Sequence, residues 1–245
     1  MIPRIFVGSD KIKDDTVSIE GSDVNYLKNV LRLKAGDEIS IINSGNREYS
    51  AKILSCEKDS IKAKFIAKKY PKSESKLKVA IAQGIPKNPK MDIIVQKATE
   101  LGVIKVIPLK AKRSMVKIGP EKEGMRVARW QKIAKEAAEQ SGRLVIPLVE
   151  EIMDFKEVLR LNKDFDKCMM LWEMEKEKTL KKFLQENKSM KSLLVLIGPE
   201  GGFSHDEVEM ARKEGFVTVT IGSRILRTET AALAALSMIN YEFEI

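Results

Sequence analysis

The sequence predicts an α/β protein in which a parallel sheet with helices on both faces follows a small β-barrel. Residues 1–70 contain short strand-like segments between turns, segment 70–76 is polar and carries a proline, and apolar strands alternate with helices from residue 77. Short strands with one helix are typical of a small barrel, and strand–helix alternation is typical of a parallel sheet. We therefore expect two domains, residues 1–72 and 73–245.

In the first domain, turn-forming runs separate segments with strand composition or period-two alternation. Ser22 or Asp23 can cap one helix. The predicted strands cover residues 2–7, 38–42, 48–55 and 60–67, and the predicted helix covers residues 23–31.

In the second domain, short apolar runs alternate with segments of helical spacing. The run 193–197 is wholly apolar, as expected for a strand buried on both faces. Ser204 and Glu207 form a capping box, so a helix begins there and ends at Gly215. Predicted strands cover 79–83, 103–109, 144–149, 167–172, 193–197 and 216–221, and further helices cover 89–101, 125–140 and, capped by Thr228 or Thr230, 228–241.

Positive charge is concentrated in the middle of the chain. The net charge is +9, and residues 76–147 carry 16 basic against 6 acidic side chains. Such a local excess raises the affinity and association rate for polyanions. A lysine-rich surface of a soluble protein has the same composition, so both interpretations stay open from charge alone.

The composition argues against a membrane, disulfide or metal protein. No run of 18 apolar residues exists, and the N-terminus lacks the apolar stretch of a secretory signal. Cys56 and Cys168 lie far apart, and His205 is the one histidine. We expect a cytoplasmic protein with no membrane attachment and no metal.

Three segments with unusual residues follow predicted strands, where ligands bind in open α/β sheets. They are 198–203 (GPEGGF), 221–230 (IGSRILRTET) and, more weakly, 171–173 (LWE). Glycines let a ligand approach the backbone closely, although glycine turns can also simply connect a strand to a helix. The motifs GxxxxGK[ST], GxGxxG after 193–197 and GxSxG are absent, which disfavours common nucleotide-binding and hydrolase sites.

The order of motifs resembles one family along nearly the whole chain. Segment 198–204, followed by 221–231, resembles the ribosomal RNA small subunit methyltransferase E (RsmE) family of the SPOUT superfamily. Several ordered motifs together are specific, whereas any one alone would not be. Further matching segments are 3–6, 30–33, 97–103, 113–114, 129–133 and 136–143.

This resemblance implies both a fold and an activity. The N-terminal domain would be a PUA-like barrel that binds RNA. The C-terminal domain would be a SPOUT domain with a deep trefoil knot, through which two chains pair as a homodimer. S-adenosylmethionine (SAM) would bind in loops at the knot. The product would be N3-methyluridine in 16S ribosomal RNA, so the partner would be that RNA or the small ribosomal subunit.

The residues themselves suit a methyl-donor site. Segments 221–222 and 225–226 can offer an adenine ring an apolar slot and backbone groups, and the glycines of 198–202 leave room for a sulfonium. Glu200 can compensate the sulfonium charge or accept loop hydrogen bonds, and both interpretations are open. The predicted cofactor contacts are Leu171, Leu196, Ile197, Gly198, Pro199, Glu200, Gly201, Gly202, Ile221, Gly222, Ile225, Leu226, Arg227, Glu229 and Thr230, the last also as a helix cap.

Uridine N3 becomes a nucleophile only after its proton leaves, and in-line methyl transfer then depends on positioning. Negative charge on the uracil would favour a nearby cation, for which Arg143 and Arg32 are the predicted catalytic residues. No general base can be assigned. The predicted RNA contacts are Arg4, Arg32, Lys112, Arg113 and Arg143.

Two other functions stay open. A non-catalytic RNA-binding or ribosome-assembly factor on the same scaffold would not bind SAM. A basic α/β enzyme acting on nucleotides would instead turn over free nucleotides.

Overall fold

The computed structural model describes residues 2–71, 73–87, 89–116 and 118–243. The chain divides into two compact units, of which the first comprises Met1–Glu74 with Ala138–Val145 and the second Ser75–Ala137 with Ile146–Ile245. The boundary between residues 72 and 73 stays a prediction, and residue 72 lies outside the described residues.

The first unit is built on a six-stranded sheet in the order β1-β4-β5-β6-β3-β2. Strand β1 runs parallel to β4, and the other pairs are antiparallel. Alternate residues of these strands, such as Ile39 and Ile41, are fully buried in one core. The strands are β1 (Arg4–Val7), β2 (Ile12–Lys13), β3 (Thr16–Glu20), β4 (Glu38–Asn43), β5 (Glu48–Cys56) and β6 (Ser60–Lys69).

Two features of this unit differ from the sequence prediction. Strands β2 and β3 were not predicted, although Val17 and Ile19 follow the same period-two pattern and are each 2% exposed. The predicted helix at 23–31 is a short α-helix, α1 (Ser22–Asn25), continued by a π-helical turn at Tyr26–Val30.

The second unit has a parallel sheet in the order β10-β8-β7-β12-β11-β13, with β9 paired to β8. Its strands are β7 (Lys78–Gly84), β8 (Lys105–Lys110), β9 (Leu148–Val149), β10 (Met153–Asp154), β11 (Lys167–Leu171), β12 (Ser192–Ile197) and β13 (Val217–Val219). Its helices are α2 (Lys90–Glu100), α3 (Pro120–Ser141), which ends in the first unit, α4 (Phe155–Arg160), α5 (Leu180–Glu186), α6 (His205–Lys213) and α7 (Thr228–Phe243).

Helices cover both faces of this sheet. On β12, Leu193 and Val195 belong to one apolar cluster, whereas Leu194 and Leu196 belong to another. Successive side chains of a strand point to opposite faces, so the clusters mark the two faces. Helices α2, α3, α5 and α7 pack in the first cluster, and α4 and α6 in the second. The predicted parallel α/β sheet is therefore confirmed, and the knot stays a prediction.

The strand predicted at 144–149 is wrong for most of its length, because only Leu148–Val149 pairs in the sheet. Pro147, which has no backbone N–H, directly precedes it. Helix α3 begins at Pro120, five residues before the predicted start. Over the parts of the chain that the structure describes, no helix has the length and hydropathy that crossing a membrane requires.

Candidate functional site

Four strands of the second unit end side by side at one edge of the parallel sheet, in the order β7, β12, β11 and β13. The first loop, residues 198–203, leaves this edge after β12, and the second loop, residues 220–227, leaves it after β13. Carboxyl ends of parallel strands share an edge, so the topology brings the two loops together.

Both loops line one cavity of about 410 Å³, within the range of roughly 300–1,000 Å³ that is typical of small-molecule sites. Apolar side chains from the strand ends and the second loop form much of the wall. The charged groups in the wall are the carboxylates of Glu173 and Glu200 and the cations of Lys90, Arg224 and Arg227. The cavity can therefore accept a ligand that combines an apolar ring with groups of both charges.

Most predicted cofactor contacts come together here. Those that line the cavity are Leu171, Ile197, Gly198, Pro199, Glu200, Gly202, Ile221, Gly222, Ile225, Leu226 and Arg227. They come from three strand ends that are distant in sequence, and the sheet order makes them neighbours.

Four predicted contacts do not line the cavity within the described residues. Leu196 is fully buried in the core under the sheet. Gly201 lies against Arg113, whose Nη1 donates to the Gly201 carbonyl at 3.2 Å. Glu229 and Thr230 lie in the first turn of α7, and Thr230 does not cap that helix because the helix begins two residues earlier.

A buried chain of hydrogen bonds ties the first loop to β7 and α7. The Gln83 amide Nε2 donates to the Thr228 hydroxyl at 2.9 Å, and that hydroxyl donates to the Gly198 carbonyl at 2.6 Å. Gln83 Nε2 also donates to the Gly84 carbonyl at 2.9 Å. Gln83 is 0% exposed and Thr228 is 5% exposed, so water does not compete for these bonds.

Lys90 connects the first loop to α7 at the cavity wall. Its Nζ lies 3.1 Å from Glu200 Oε1 and 3.4 Å from Glu229 Oε2. Glu200 Oε1 also accepts a hydrogen bond from the Lys87 backbone N–H at 3.1 Å. Burial opposes ionisation of Glu200, but backbone hydrogen bonds and Lys90 lower its pKa overall. Glu200 therefore makes the backbone bond that one interpretation predicts, and it keeps the negative charge that the other requires.

Glu173 and Trp172 form another part of the wall. Gly202 has φ +65°, and a Cβ at this position would lie only 2.7 Å from Glu173 Oε1, so glycine lets the loop approach the carboxylate. The Trp172 and His205 rings form a T-shaped pair at a centroid distance of 5.7 Å, and the Arg212 guanidinium lies 5.1 Å from the centroid of the Trp172 ring. Both contacts fix the indole at the cavity.

Several lining residues were not predicted as cofactor contacts. Trp172 ends the predicted strand 167–172 and Glu173 follows it; both belong to the segment 171–173 that the strand-end rule singled out, of which only Leu171 was predicted as a contact. Lys90 follows β7, whose end received no such consideration. The other lining residues outside the prediction are Phe203, Val219, Thr220, Ser223, Arg224, Thr228 and Ala231.

Three predicted RNA contacts belong to the first unit. Arg4 is half-buried, and its Nε donates to Glu48 Oε1 at 3.2 Å. The Arg143 side chain is 3% exposed, and its Nη2 donates to Glu74 Oε2 at 2.7 Å. Arg143 is thus committed to an internal ion pair, whereas Arg32 is exposed and has the unusual φ of +57°. The catalytic and RNA-binding roles of these residues stay predictions.

The other two predicted RNA contacts, Lys112 and Arg113, lie in the second unit and are exposed. Lys112 Nζ donates to Asp206 Oδ2 at 2.8 Å, and its backbone N–H donates to Glu207 Oε1 at 2.8 Å. Arg113 contacts the first loop through Gly201, as described above. Both residues therefore lie next to the first loop and the helix that follows it.

Comparison with family models identifies two domains. A model described as an RNA methyltransferase domain matches residues 73–240, and one described as an RNA methyltransferase PUA domain matches residues 19–66. The predicted methyltransferase domain and N-terminal PUA domain are thereby confirmed.

Whole proteins match over almost the full chain. A ribosomal RNA small subunit methyltransferase E from Bacillus subtilis is 41% identical, with 94% of this chain and 91% of the relative covered. The enzyme of that name from Buchnera aphidicola is 32% identical over 99% of this chain and 94% of its own length. The crystal structure of the Neisseria gonorrhoeae enzyme of the same name, bound to SAM, is 30% identical, covers 98% of each chain and has a TM-score of 0.87. The chain therefore belongs to the ribosomal RNA small subunit methyltransferase E family.

Proposed function

We propose that this chain uses SAM to methylate N3 of a uridine in 16S ribosomal RNA. The observation that carries the proposal is the convergence of the first and second loops on one cavity at the carboxyl edge of the sheet. The names of the relatives support ribosomal RNA as substrate, and the SAM in the Neisseria gonorrhoeae structure supports the cofactor.

The residues of the cavity fit SAM. Ile221, Ile225 and Leu226 would hold the adenine ring between apolar side chains, while Glu173 and Glu200 would balance positive charge. When bound, SAM supplies an electrophilic methyl group on a sulfonium. The wall also holds Lys90, Arg224 and Arg227, which can pair with the carboxylate of SAM, so both signs of charge on this ligand find partners in the cavity.

The chain would promote transfer mainly by positioning. Gln83 and Thr228 hold the Gly198 carbonyl, and Lys90 holds Glu200, so strong contacts fix the first loop before a substrate arrives. A fixed site removes part of the entropic cost of bringing two reactants together.

Methyl transfer also requires that the negative charge on the uracil be stabilised. Loss of the N3 proton leaves negative charge on the uracil, which a guanidinium can stabilise. Of the two predicted cations, Arg32 is exposed, whereas Arg143 is 3% exposed and paired with Glu74. We assign this role to Arg32, and we assign to Arg143 the positioning of the 138–145 segment through Glu74.

The two domains would have separate roles in RNA binding and methyl transfer. Residues 1–72 would hold the RNA, which the PUA match supports, and residues 73–245 would transfer the methyl group. Two copies would pair through the second domain, where Ile225, Met238 and Tyr241 are 86%, 44% and 70% exposed. Light scattering of the purified chain tests this pairing, and a monomeric mass would reject it.

The decisive experiment is methylation in vitro. The purified chain, SAM and small ribosomal subunits or 16S RNA from cells lacking this activity are combined, and the RNA nucleosides are analysed by mass spectrometry. We expect N3-methyluridine to accumulate. A methyl group at another position would reject the N3 assignment, and its complete absence would favour the non-catalytic assembly factor.

Calorimetry with SAM distinguishes an enzyme from a non-catalytic assembly factor, because a factor that binds only RNA should show no heat of SAM binding. Gly202→Ala should weaken SAM binding, since its Cβ would displace the Glu173 carboxylate from its place in the cavity wall. Gly215→Ala is the matched control: Gly215 also has positive φ, but a Cβ there meets nothing within 4 Å. Turnover of free nucleotides would instead point to a nucleotide enzyme.

A further inference from the structure

A cluster of charged and polar side chains surrounds Arg4, the first residue of β1, in the first unit. Arg4 Nε donates to Glu48 Oε1 at 3.2 Å. The Ser40 hydroxyl donates to the same oxygen, and so does Lys69 Nζ at 3.5 Å. Arg4 lies opposite Ser40 in the pairing of β1 with β4, and Glu48 lies opposite Lys69 in the pairing of β5 with β6. The sheet order therefore assembles this cluster.

Glu48 is a buried carboxylate that stays ionised. It is 1% exposed, and burial raises the pKa of a carboxyl because it disfavours the charged form. Hydrogen bonds from Ser40 and Arg4, together with the charges of Arg4 and Lys69, outweigh this effect and lower the pKa of Glu48 below its ordinary value. Glu48 is therefore a fixed anion to which Arg4 can anchor.

Arg4 and Lys69 share this one carboxylate. Among the described residues, neither cation forms an ion pair with any other acidic side chain. Glu139, on the last turn of α3, accepts a hydrogen bond from the Phe6 backbone N–H at 3.2 Å and pairs with neither of them. Two cations against one carboxylate leave a positive charge in the cluster, which favours an anionic ligand.

The guanidinium of Arg4 is only partly used inside the protein. Nε contacts Glu48, whereas Nη1 and Nη2 have no hydrogen-bond partner among the described residues. Buried N–H groups are nearly always paired, and the Arg4 side chain is 34% exposed. Its Nη groups can therefore receive a ligand from solvent. Adjacent N–H groups of a guanidinium match the oxygens of a phosphate.

Gly142, which follows α3 in the first unit, makes room for this guanidinium. Its φ is +76°, and a Cβ at this position would overlap Arg4 Nη1 and lie 3.0 Å from Arg4 Cζ. The guanidinium thus lies between Glu48 at Nε and Gly142 at Nη1. A side chain that is held in place before binding loses less conformational freedom when the ligand arrives.

We propose that the Nη groups of Arg4 bind a backbone phosphate of the substrate RNA, and that Glu48 and Gly142 are positioning residues that fix the guanidinium for this contact. The proposal rests on the proposed function, because it takes ribosomal RNA as the substrate. It gives the predicted RNA contact Arg4 a defined ligand group and two residues that act through it. A phosphate contact places the RNA on the protein and does not read its sequence.

Two variants test the contact without changing the net charge. Arg4→Lys keeps the cation but loses the paired N–H groups, and Gly142→Ala displaces the guanidinium. Binding of a 16S ribosomal RNA transcript is measured together with SAM affinity and thermal unfolding. We expect both variants to bind the transcript about tenfold more weakly, with SAM affinity unchanged.

Each variant has a matched control. Arg47→Lys makes the same replacement at an exposed arginine of the first unit. Gly215→Ala makes the same change after α6, where φ is +83° and a Cβ meets nothing within 4 Å. In both glycine turns the next residue donates its backbone N–H to a carbonyl five positions earlier, at 3.0 Å after α3 and 2.9 Å after α6. Both controls should bind the transcript as wild type does.

Glu48→Gln separates positioning from general charge attraction by the sign of its effect. The variant is more positive than wild type, so general attraction would strengthen RNA binding. Loss of the anchor of Arg4 should instead weaken it several-fold, and in the methylation assay the KM for RNA should rise while kcat is retained. Measurements below the unfolding midpoint of the variant keep this comparison on folded protein.

Unchanged RNA affinity in folded Arg4→Lys and Gly142→Ala would overturn the proposal, because Arg4 would then only brace the first unit. Equal losses in the two controls, or stronger RNA binding by Glu48→Gln, would also overturn it. If wild type binds and methylates the transcript in those cases, the proposed function stands without this contact. A wild-type chain that does neither would reject both.

Discussion

Gln83 donates a hydrogen bond to the hydroxyl of Thr228 at 2.9 Å, although 145 positions separate the two residues in the sequence. The same hydroxyl donates to the Gly198 carbonyl. One buried contact thus joins the end of β7, the first loop and the start of α7. Any ligand in the cavity depends on this contact, because Gly198 and Thr228 are both part of its wall.

Thr228→Val should lower both the stability of the fold and the affinity of the cavity for SAM. The change removes the buried hydroxyl, so the Gln83 amide loses one hydrogen-bond acceptor and the Gly198 carbonyl loses one donor. We expect the free energy of unfolding to fall by about 1–3 kcal/mol, and SAM affinity to fall with it. Denaturant unfolding and calorimetry measure the two effects. Thr228→Ser keeps the hydroxyl and should retain most of both, and equal behaviour of the Val and Ser variants would contradict the role of the hydroxyl.

Gly84→Ala should displace the first loop. A Cβ at Gly84 would lie 2.5 Å from Pro199 Cδ and 2.6 Å from the Pro199 backbone nitrogen, so the backbone of the loop has to shift. Overpacking of this kind costs about 1–3 kcal/mol, and we expect SAM affinity to drop at least tenfold. Gly124→Ala is the control, because a Cβ there meets nothing and alanine favours the interior of α3. Normal SAM binding by the Gly84 variant would show that the loop tolerates the shift.

Glu175 should make stability depend on acid pH. A hydrogen bond from the Thr218 hydroxyl at 2.6 Å, with further backbone N–H donors, lowers the pKa of Glu175 from 4.5 to about 2. A carboxyl with a lowered folded-state pKa stabilises the fold above pH 4.5, and this contribution is lost between pH 4.5 and pH 2. Glu175→Gln should therefore cost about 1–3 kcal/mol at pH 7. In urea unfolding, the difference in free energy of unfolding between Glu175→Gln and wild type should shrink as the pH falls towards 2. A difference that stays constant with pH would contradict this prediction.

The two cysteines should differ in reactivity. Burial raises the pKa of the Cys168 thiol to about 12, and the residue is 6% exposed. Because thiolate is the reactive form, we expect iodoacetamide at pH 8 to leave Cys168 intact in the native chain and to modify it after unfolding. The partly exposed Cys56 is the internal reference. Peptide mass mapping reads both positions, and modification of Cys168 before Cys56 would reject the burial argument.

The sequence was most informative at the strand ends. Segments 198–203 and 221–226 could be found because glycines after buried strands are visible in the sequence, and because parallel strands end at one edge. Val17 and Ile19 also carried a readable alternation that the prediction missed. Gln83 ends the predicted strand 79–83 and Lys90 follows it, but neither carries a glycine signal, and their role depends on β7 lying beside β12, which follows from the sheet order. The burial of Arg143 likewise depends on Glu74, 69 positions away.

The contact between Gln83 and Thr228 also has a consequence during protein synthesis. The cavity takes its walls from residues between Lys90 and Ala231, and α7 supplies the hydroxyl that secures them. A nascent chain that still lacks α7 has no Thr228 hydroxyl to hold the Gly198 carbonyl, so its place for a methyl donor is incomplete. Methyl transfer thus requires that α7 has been synthesised, so unfinished chains should not bind cellular SAM.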